Sequence, residues 1–135
     1  MKTTRPTLRI AAVLTLLAAG TTMAAAPASA QAGDAVKGKA TFAKCMICHA
    51  VEPGKNKLGP TLSGVVGRKA GTVPGYAYSA AMKAIGLTWT PAVLDKYLAS
   101  PRAVVPGTKM IFAGLPAPAD RANVIAYLGN PAAVK

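Results

Sequence analysis

The sequence predicts an all-α fold in which one small domain is built from short helices joined by loops rich in glycine and proline. Helix signals recur in four segments after residue 32, whereas the alternation of apolar and polar residues that is typical of strands is scarce. Many of the 13 glycines and 11 prolines lie between those segments. A chain of 135 residues has room for one domain.

The first thirty residues predict an export signal that is not part of this domain. They include three basic residues, Lys2, Arg5 and Arg9. An uncharged core at Ile10–Ala19 and a small-x-small cleavage pattern at Ala28–Ala30 follow. We expect cleavage after Ala30, which leaves residues 31–135 as the domain. An uncleaved membrane anchor is less favoured, because the apolar stretch weakens at Gly20–Thr22 and a membrane span needs about 20 consecutive apolar residues.

The chain is strongly basic and poor in metal-ligating side chains. It has 16 Lys and Arg against 4 Asp and Glu, a formal net charge of +12, and loss of three basic residues with the signal leaves +9. Two Cys and one His exclude a structural zinc site built from four such ligands and a disulfide-rich scaffold. Because large side chains are few, we expect a bulky apolar group to help fill the core.

Three helices and a long loop are predicted in the first part of the domain. The first helix, Gly33–Lys44, has an apolar stripe. Glycine and proline between residues 52 and 75 predict a loop that something else must organise. A short helix is expected at Ser79–Ala84. The helix at Thr90–Ala99 begins with a good N-cap followed by proline, and Pro101 prevents its continuation.

The last helix is predicted at Pro118–Leu128. Asp120 in its first turn favours the helix dipole, and Gly129 is the expected C-terminal stop. We expect the first and last helices to pack together through small residues such as Gly38 and Ala126.

The segment Cys45–His49 has the sequence C-M-I-C-H, which predicts covalent attachment of a c-type haem. Two thiols three positions apart on a tight helical turn can each form a thioether to one of two vinyl groups on a haem edge. The following His then points its imidazole at the iron. Export agrees with this prediction, because in bacteria the attachment takes place outside the cytoplasm.

A redox-active dithiol of the thioredoxin kind is the alternative interpretation of the two cysteines. It is less favoured for two reasons. That chemistry usually occurs in a βαβ context, and strand patterns are scarce here. In addition, the only His of the chain directly follows the second Cys, which a dithiol enzyme does not explain.

A haem iron with one imidazole needs a sixth ligand, for which the domain offers three methionines. Met46 lies within the attachment turn and cannot reach the opposite face of the haem. Met82 lies in a short helical stretch, where the simple interpretation is a core side chain. Met110 follows a turn at Pro106–Lys109 that would present its thioether from the side opposite His49. Spacing favours Met110 over Met82, and an open sixth position is a further alternative.

Further motifs accompany Cys45–His49 along the domain. They are Gly59–Leu62, Gly67–Lys69, Pro74–Tyr76 with Tyr78, Trp89, Tyr97–Leu98 and Pro106–Gly114. With these motifs the chain resembles the class I c-type cytochromes, of the mitochondrial or bacterial c2-like type, from Gly33 to Leu128. The resemblance implies short helices and loops wrapped around one haem c, attached through Cys45 and Cys48.

The resemblance also implies a role for each remaining site residue. His49 and Met110 are the expected axial ligands, and the Pro60 carbonyl is expected to accept the Nδ1 proton of His49. Five more side chains have expected roles. Tyr78 and Trp89 are expected to hydrogen-bond a haem propionate, and Arg68 is expected to balance its charge. Tyr97 is expected to lie beside the Met110 sulfur, and Phe112 near the exposed haem edge. Without the resemblance, Trp89 and Tyr97 are interpreted as plain core aromatics and Arg68 as a solvated surface charge.

The chain departs from the family pattern at three places. Met82 stands where relatives often have a polar residue near a propionate and a buried water, which puts that hydrogen-bond network in question. Asn56 replaces a His that many relatives carry. Pro116–Pro118 lacks the lysines of several relatives.

The resemblance implies an electron carrier and not an enzyme. One electron at a time would pass by outer-sphere transfer through the exposed haem edge, from a respiratory or photosynthetic complex or an exported dehydrogenase to a terminal acceptor. A haem enzyme of the peroxidase kind is the alternative. It needs an open sixth position and usually a distal acid-base residue, and the chain has no second His.

The basic charge then predicts docking, as a monomer in the periplasm, on acidic patches of redox proteins. Quinol-cytochrome c oxidoreductase, a terminal oxidase, a reaction centre and a dehydrogenase are the candidate partners. The positions that match the family's ring around the haem edge are Lys44, Lys57, Arg102 and Lys109. Other lysines are interpreted as solvated surface, namely Lys37, Lys39, Lys69, Lys83 and Lys135. Export argues against nucleic acid as a partner.

Overall fold

The computed structural model describes residues 32–135 as five α-helices and one short 3₁₀ helix. The elements are α1 (Ala35–Phe42), α2 (Ala80–Ala84), α3 (Pro91–Ala99), α4 (Pro101–Val104), α5 (Pro118–Gly129) and the 3₁₀ helix Pro131–Ala133. Within these described residues there is no strand, only an isolated bridge between Lys69 and Thr88. The all-α prediction is confirmed. The predicted export signal lies outside the described residues.

The first helix is shorter than predicted at both ends. Asp34 is its N-cap, because its Oδ1 accepts the backbone N–H groups of the second and third helical residues at 2.9 and 3.1 Å. The helix therefore begins after Asp34, not at Gly33. It ends at Phe42, two residues before Lys44, because the chain tightens there into the turn at 43–48 that holds both cysteines.

The middle helices are capped by hydroxyl side chains: the predicted cap at Thr90 is confirmed, whereas Ser79, predicted as the first residue of α2, is its N-cap instead. Ser79 Oγ accepts the Met82 N–H at 3.1 Å, and Thr90 Oγ1 accepts the Val93 N–H at 3.2 Å. Pro101 stops α3 as predicted, but it also starts α4, a helix that was not predicted. A proline has no N–H to leave unpaired and has a suitable φ, so it suits the first position of a new helix as well.

Helices α1 and α5 pack at a close crossing. A Cβ atom on Gly38 would lie 2.0 Å from the Asn123 carbonyl oxygen and 2.8 Å from Tyr127 Cβ, so only glycine fits. The Phe42 and Tyr127 rings lie beside this contact, with centroids 5.3 Å apart. The predicted pairing through Gly38 is confirmed, but the nearest atoms of α5 belong to Asn123 and Tyr127 and not to Ala126.

The end of α5 lies one residue beyond the prediction. Gly129 is the last helical residue and Asn130 is the C-cap, with its N–H bonded to the Tyr127 carbonyl at 3.1 Å. None of the helices within residues 32–135 has both the length and the apolar character that a membrane span requires.

Candidate haem-binding site

A cavity of about 460 Å³ is lined by residues from Lys44 to Leu128. This volume falls within the range of about 300–1,000 Å³ that is typical of cofactor sites. All the site residues predicted from the sequence lie on its wall, namely Cys45, Cys48, His49, Pro60, Arg68, Tyr78, Trp89, Tyr97, Met110 and Phe112. The fold thus brings together residues that are up to 67 positions apart in the sequence.

The two cysteines lie on a tight helical turn. The Cys45 N–H donates to the Phe42 carbonyl at 2.7 Å, and the Cys48 and His49 N–H groups donate to the Cys45 carbonyl at 3.0 and 2.9 Å. Cys45 is half-buried and Cys48 is exposed. Burial raises the pKa of the Cys45 thiol, and the neighbouring Cys48 adds to this, against the opposite effect of Lys44. Both sulfurs and the imidazole therefore share one wall of the cavity.

The His49 ring is held from two sides. Its Nδ1 donates to the Pro60 carbonyl at 2.8 Å, which leaves Nε2 as the nitrogen available to a ligand. A Cβ on Gly59 would lie 2.3 Å from His49 Cε1, so the backbone of this residue packs directly against the ring. Burial lowers the pKa of His49, and Lys57 lowers it further, although the Pro60 bond opposes them. The neutral imidazole that binds iron is thereby favoured.

The three methionines occupy different places. Met46 is 54% exposed and is not part of the cavity wall. Met82, on α2, is buried and lies on the wall. Met110 also lies on the wall, and its Sδ is 3.8 Å from the Tyr97 hydroxyl, which donates to it. Thr108 Oγ1 accepts the Met110 N–H at 3.3 Å, so Met110 alone among the three has contacts that orient both its backbone and its sulfur.

Another part of the cavity wall carries the positive charge of Arg68, which has no acidic partner among residues 32–135. Arg68 donates to the Ser63 and Thr61 carbonyls at 2.6 and 2.9 Å. Burial lowers the pKa of its guanidinium. Tyr78 lies on the same wall, and burial raises the pKa of its hydroxyl. A carboxylate entering the cavity would compensate this charge.

Aromatic side chains complete the apolar part of the wall. Trp89 and Tyr97 are both buried, and their rings pack with centroids 4.8 Å apart. Burial raises the pKa of the Tyr97 hydroxyl, so this group stays a proton donor. Phe112 is half-buried and borders both the cavity and a shallow groove beside Arg102.

Sequence reasoning missed the side chains that organise the long loop. Asn56 Oδ1 accepts the Thr61 N–H at 3.0 Å, and its Nδ2 donates to the Pro74 carbonyl at 3.1 Å. The Tyr76 hydroxyl donates to the Leu58 carbonyl at 2.8 Å. These bonds cross from one end of the loop to the other, so the polar side chains of Asn56 and Tyr76 hold the segment between residues 52 and 75.

The cavity fits a haem in each respect that the side chains can test. Two thiols and an oriented imidazole share one wall, an oriented thioether is available for the iron, and an uncompensated guanidinium matches a propionate. Most of the remaining wall is apolar, which suits a porphyrin ring. Among residues 32–135 there is no group of three or more His, Cys, Asp or Glu that would hold a metal ion by itself.

Comparison with known proteins identifies the family. The model of the cytochrome c family matches residues 35–130. The chain belongs to the cytochrome c family. It is 59% identical over 100 residues to cytochrome c2 of Rhodomicrobium vannielii, which covers 73% of this chain and 80% of that protein. It is 48% identical over 107 residues to cytochrome c2 of Blastochloris viridis, covering 78% and 84% of the two chains.

Solved structures agree with this assignment. Cytochrome cH from Methylobacterium extorquens superimposes with a TM-score of 0.69 at 52% identity, over 71% of this chain and 97% of that chain. The protein is a class I, c2-like cytochrome with one haem c, bound covalently through Cys45 and Cys48. It is a single-haem electron carrier and not an enzyme, as predicted.

Four basic side chains lie on the cavity wall or contact neighbouring segments. Lys44 and Lys109 are exposed and belong to its wall, and Lys109 Nζ donates to the Ala77 carbonyl at 2.7 Å. Lys57 Nζ donates to the Met46 carbonyl. Arg102 is exposed and lines the shallow groove with Phe112. Within the described chain none of these four forms an ion pair.

Proposed function

We propose that the His49 imidazole and the Met110 sulfur would be the two protein ligands of the haem iron. Three contacts support this assignment. The Pro60 carbonyl fixes the His49 ring, Thr108 orients the Met110 backbone, and Tyr97 contacts the Met110 sulfur. Met82 also lies on the cavity wall, but no polar group is bonded to its sulfur in the described part of the chain. The Tyr97 contact is the observation that favours Met110 over Met82.

When bound, the haem supplies an iron that alternates between the ferrous and ferric states. The chain holds both ligands in place so that little rearranges as the electron passes. The thioether of Met110 favours the ferrous state relative to a second nitrogen ligand. Buried aromatic side chains such as Trp89 exclude water, which disfavours the extra charge of the ferric state. Arg68 and Tyr78 are proposed to hold the propionates, together with Trp89.

We propose that the carrier works in the periplasm after cleavage behind Ala30, and that it docks as a monomer on acidic patches of redox proteins. The charge of +9 on residues 31–135 and the exposed ring of Lys44, Lys57, Arg102 and Lys109 support this proposal. Charge complementarity speeds encounter, and a small interface allows quick release. Candidate partners are a quinol-oxidising complex, a reaction centre, an oxidase and an exported dehydrogenase.

Absorption spectra test the ligand assignment. The reduced protein is expected to show the sharp α band of a low-spin c-type haem, and the oxidised protein a weak sulfur-to-iron band. Met110→Ala should abolish the sulfur-to-iron band, and Met82→Ala should leave it. The opposite result would transfer the ligand role to Met82, and a high-spin ferric spectrum in the unmodified protein would contradict the proposal altogether.

Electron-transfer rates test the docking surface. Lys44→Glu and Arg102→Glu should each slow oxidation of the reduced protein by membranes of the source organism, most strongly at low salt. Lys135→Glu makes the same charge change away from the ring and is the matched control. Equal slowing by all three would show that only total charge matters.

The mass of the purified protein tests cleavage of the export signal, because an N-terminus at Gln31 is expected.

A further inference from the structure

The loop at residues 105–116, here called the methionine loop, is anchored at its two ends and at Lys109, whose Nζ donates to the Ala77 carbonyl at 2.7 Å. At its start, the N–H of the buried Val105 donates to the carbonyl of Pro101, the first residue of α4, at 2.9 Å. At its end, the Leu115 N–H donates to the Leu98 carbonyl of α3 at 2.7 Å. In the described chain, residues 111–114 form no hydrogen bond. The position of Met110 therefore depends in part on how firmly the second end of the loop is held.

Arg121 of α5 secures the second end. Its Nε donates to Asp95 Oδ1 of α3 at 2.7 Å, and its Nη1 donates to the Leu115 and Pro116 carbonyls, each at 2.9 Å. The Arg121 side chain is only 11% exposed, whereas Asp95 is 45% exposed. One planar guanidinium thus joins α5, α3 and the end of the methionine loop. Charge-assisted bonds of this kind are stronger than neutral ones, and partial burial reduces their screening.

The joined end of the loop lies directly against α3. A Cβ on Gly114 would lie 2.3 Å from the Ala99 carbonyl oxygen, so the two backbones are in close contact. The same helix carries Tyr97, whose hydroxyl contacts the Met110 sulfur. A shift of the loop end away from α3 would therefore also draw Met110 away from Tyr97.

We propose that Arg121 is a positioning residue that keeps Met110 in the haem cavity. The proposal rests on ligation by Met110, as argued above. Arg121 does not line the cavity, so it acts through the methionine loop and not on the haem. Its fork of N–H donors reaches three oxygen atoms at once. A lysine at this place has one nitrogen on a flexible stem and cannot reproduce that set.

The binding of added imidazole measures the fraction of protein in which Met110 has left the iron. Imidazole binds the iron only where Met110 has left, so its apparent affinity for the ferric holoprotein is proportional to the fraction in which the loop is open. Arg121→Lys is expected to raise this apparent affinity at least tenfold while the spectrum of the reduced protein stays low-spin. Tyr127→Leu is the matched control. It removes a buried ring from α5 on the side facing α1, away from the cavity, and should lower stability without changing imidazole affinity.

Two results would overturn the proposal. One is an imidazole affinity in Arg121→Lys equal to that of the unmodified protein. The other is an equal increase in Tyr127→Leu at the same loss of stability, which would make Arg121 a general stabilising residue. Failure of the ligand assignment itself is distinguished by Met110→Ala, because that variant keeps the sulfur-to-iron band only if Met110 is not the ligand.

A measurement on the unmodified protein covers the case in which Arg121→Lys does not fold. Coupling is reciprocal, so if Arg121 holds Met110 in place, displacing Met110 must loosen Arg121. Saturating imidazole should therefore speed hydrogen exchange at the Leu115 N–H and the Arg121 Nε–H, while helical amides of α1 stay protected. Unchanged exchange at both sites would contradict the coupling.

Discussion

The hydroxyl of Tyr97 donates a hydrogen bond to the sulfur of Met110 across 3.8 Å. The two residues are 13 positions apart, one on α3 and the other on an irregular loop, and both lie on the wall of the haem cavity. Because burial raises the pKa of Tyr97, the phenol keeps its proton and its role as donor.

Tyr97→Phe should lower the reduction potential of the protein. Donation to the sulfur withdraws electron density from it, so loss of the hydroxyl makes Met110 a better donor to ferric iron. A bond worth about 0.5–1.5 kcal/mol corresponds to about 20–60 mV for one electron. Redox titration measures the change. Tyr127→Phe is the control, since it removes the same atom away from the cavity, and a potential that rises in Tyr97→Phe would contradict the contact.

Gly59→Ala should displace the His49 imidazole. The added Cβ would lie 2.3 Å from His49 Cε1, and the ring cannot withdraw without breaking its bond to Pro60. Overpacking of this kind typically costs about 1–3 kcal/mol. We expect a lower yield of low-spin holoprotein, measured by the absorption spectrum, and a lower free energy of unfolding. Gly129→Ala has open space around its Cβ and should leave both unchanged; a normal spectrum for Gly59→Ala would show that the ring has room to move.

Gly38→Ala should destabilise the protein without disturbing the iron ligands. Its Cβ would lie 2.0 Å from the Asn123 carbonyl oxygen, so α1 and α5 must move apart. A loss of about 1–3 kcal/mol is expected from chemical denaturation, with the sulfur-to-iron band intact, because Gly38 does not line the cavity. Loss of the band at native conditions would mean that the helix crossing also sets the position of Met110.

The cap of α1 should contribute a pH-dependent part of the stability. Backbone N–H bonds, that of Lys37 first, hold the pKa of Asp34 below its usual value of 3.8. A lowered folded-state pKa means that the stabilisation is present above the unfolded-state pKa and is lost as the pH falls through the folded-state value. Asp34→Asn keeps an N-cap acceptor but removes the charge. Urea denaturation should therefore separate the two proteins at pH 7, and the difference should shrink as the pH falls below 3.8. A difference that stays constant over this range would contradict this account.

What could be predicted from the sequence depended on how local each signal is. The haem motif and the cap at Thr90 act within a few residues, so the local sequence alone revealed them. The bond from Asn56 to Pro74 spans 18 residues, and the bond from Arg121 to Asp95 spans 26. The sequence around Asn56 or Arg121 does not reveal these distant partners, because both side chains are equally compatible with a solvated surface.

The roles of the cavity aromatics needed the family resemblance. Trp89 and Tyr97 are buried among apolar neighbours, which is what a simple core residue would also show. The sequence correctly predicted that α1 packs on α5 through Gly38. Which residues of α5 contact Gly38 depends on the rotation of α5 about its own axis. A stripe of small residues does not fix that rotation, and Asn123 with Tyr127 took the place expected of Ala126.

The haem cavity draws its wall from residues as far apart as Lys44 and Leu128, whereas both thiols and the imidazole come from the five consecutive residues 45–49. Recognition for haem attachment can therefore operate on a short peptide, while enclosure of the haem needs the whole domain. This separation allows the thioether bonds to form before the domain folds. A chain that has not yet folded already holds the two thiols and the imidazole within five residues, whereas the rest of the cavity wall forms only when distant segments come together.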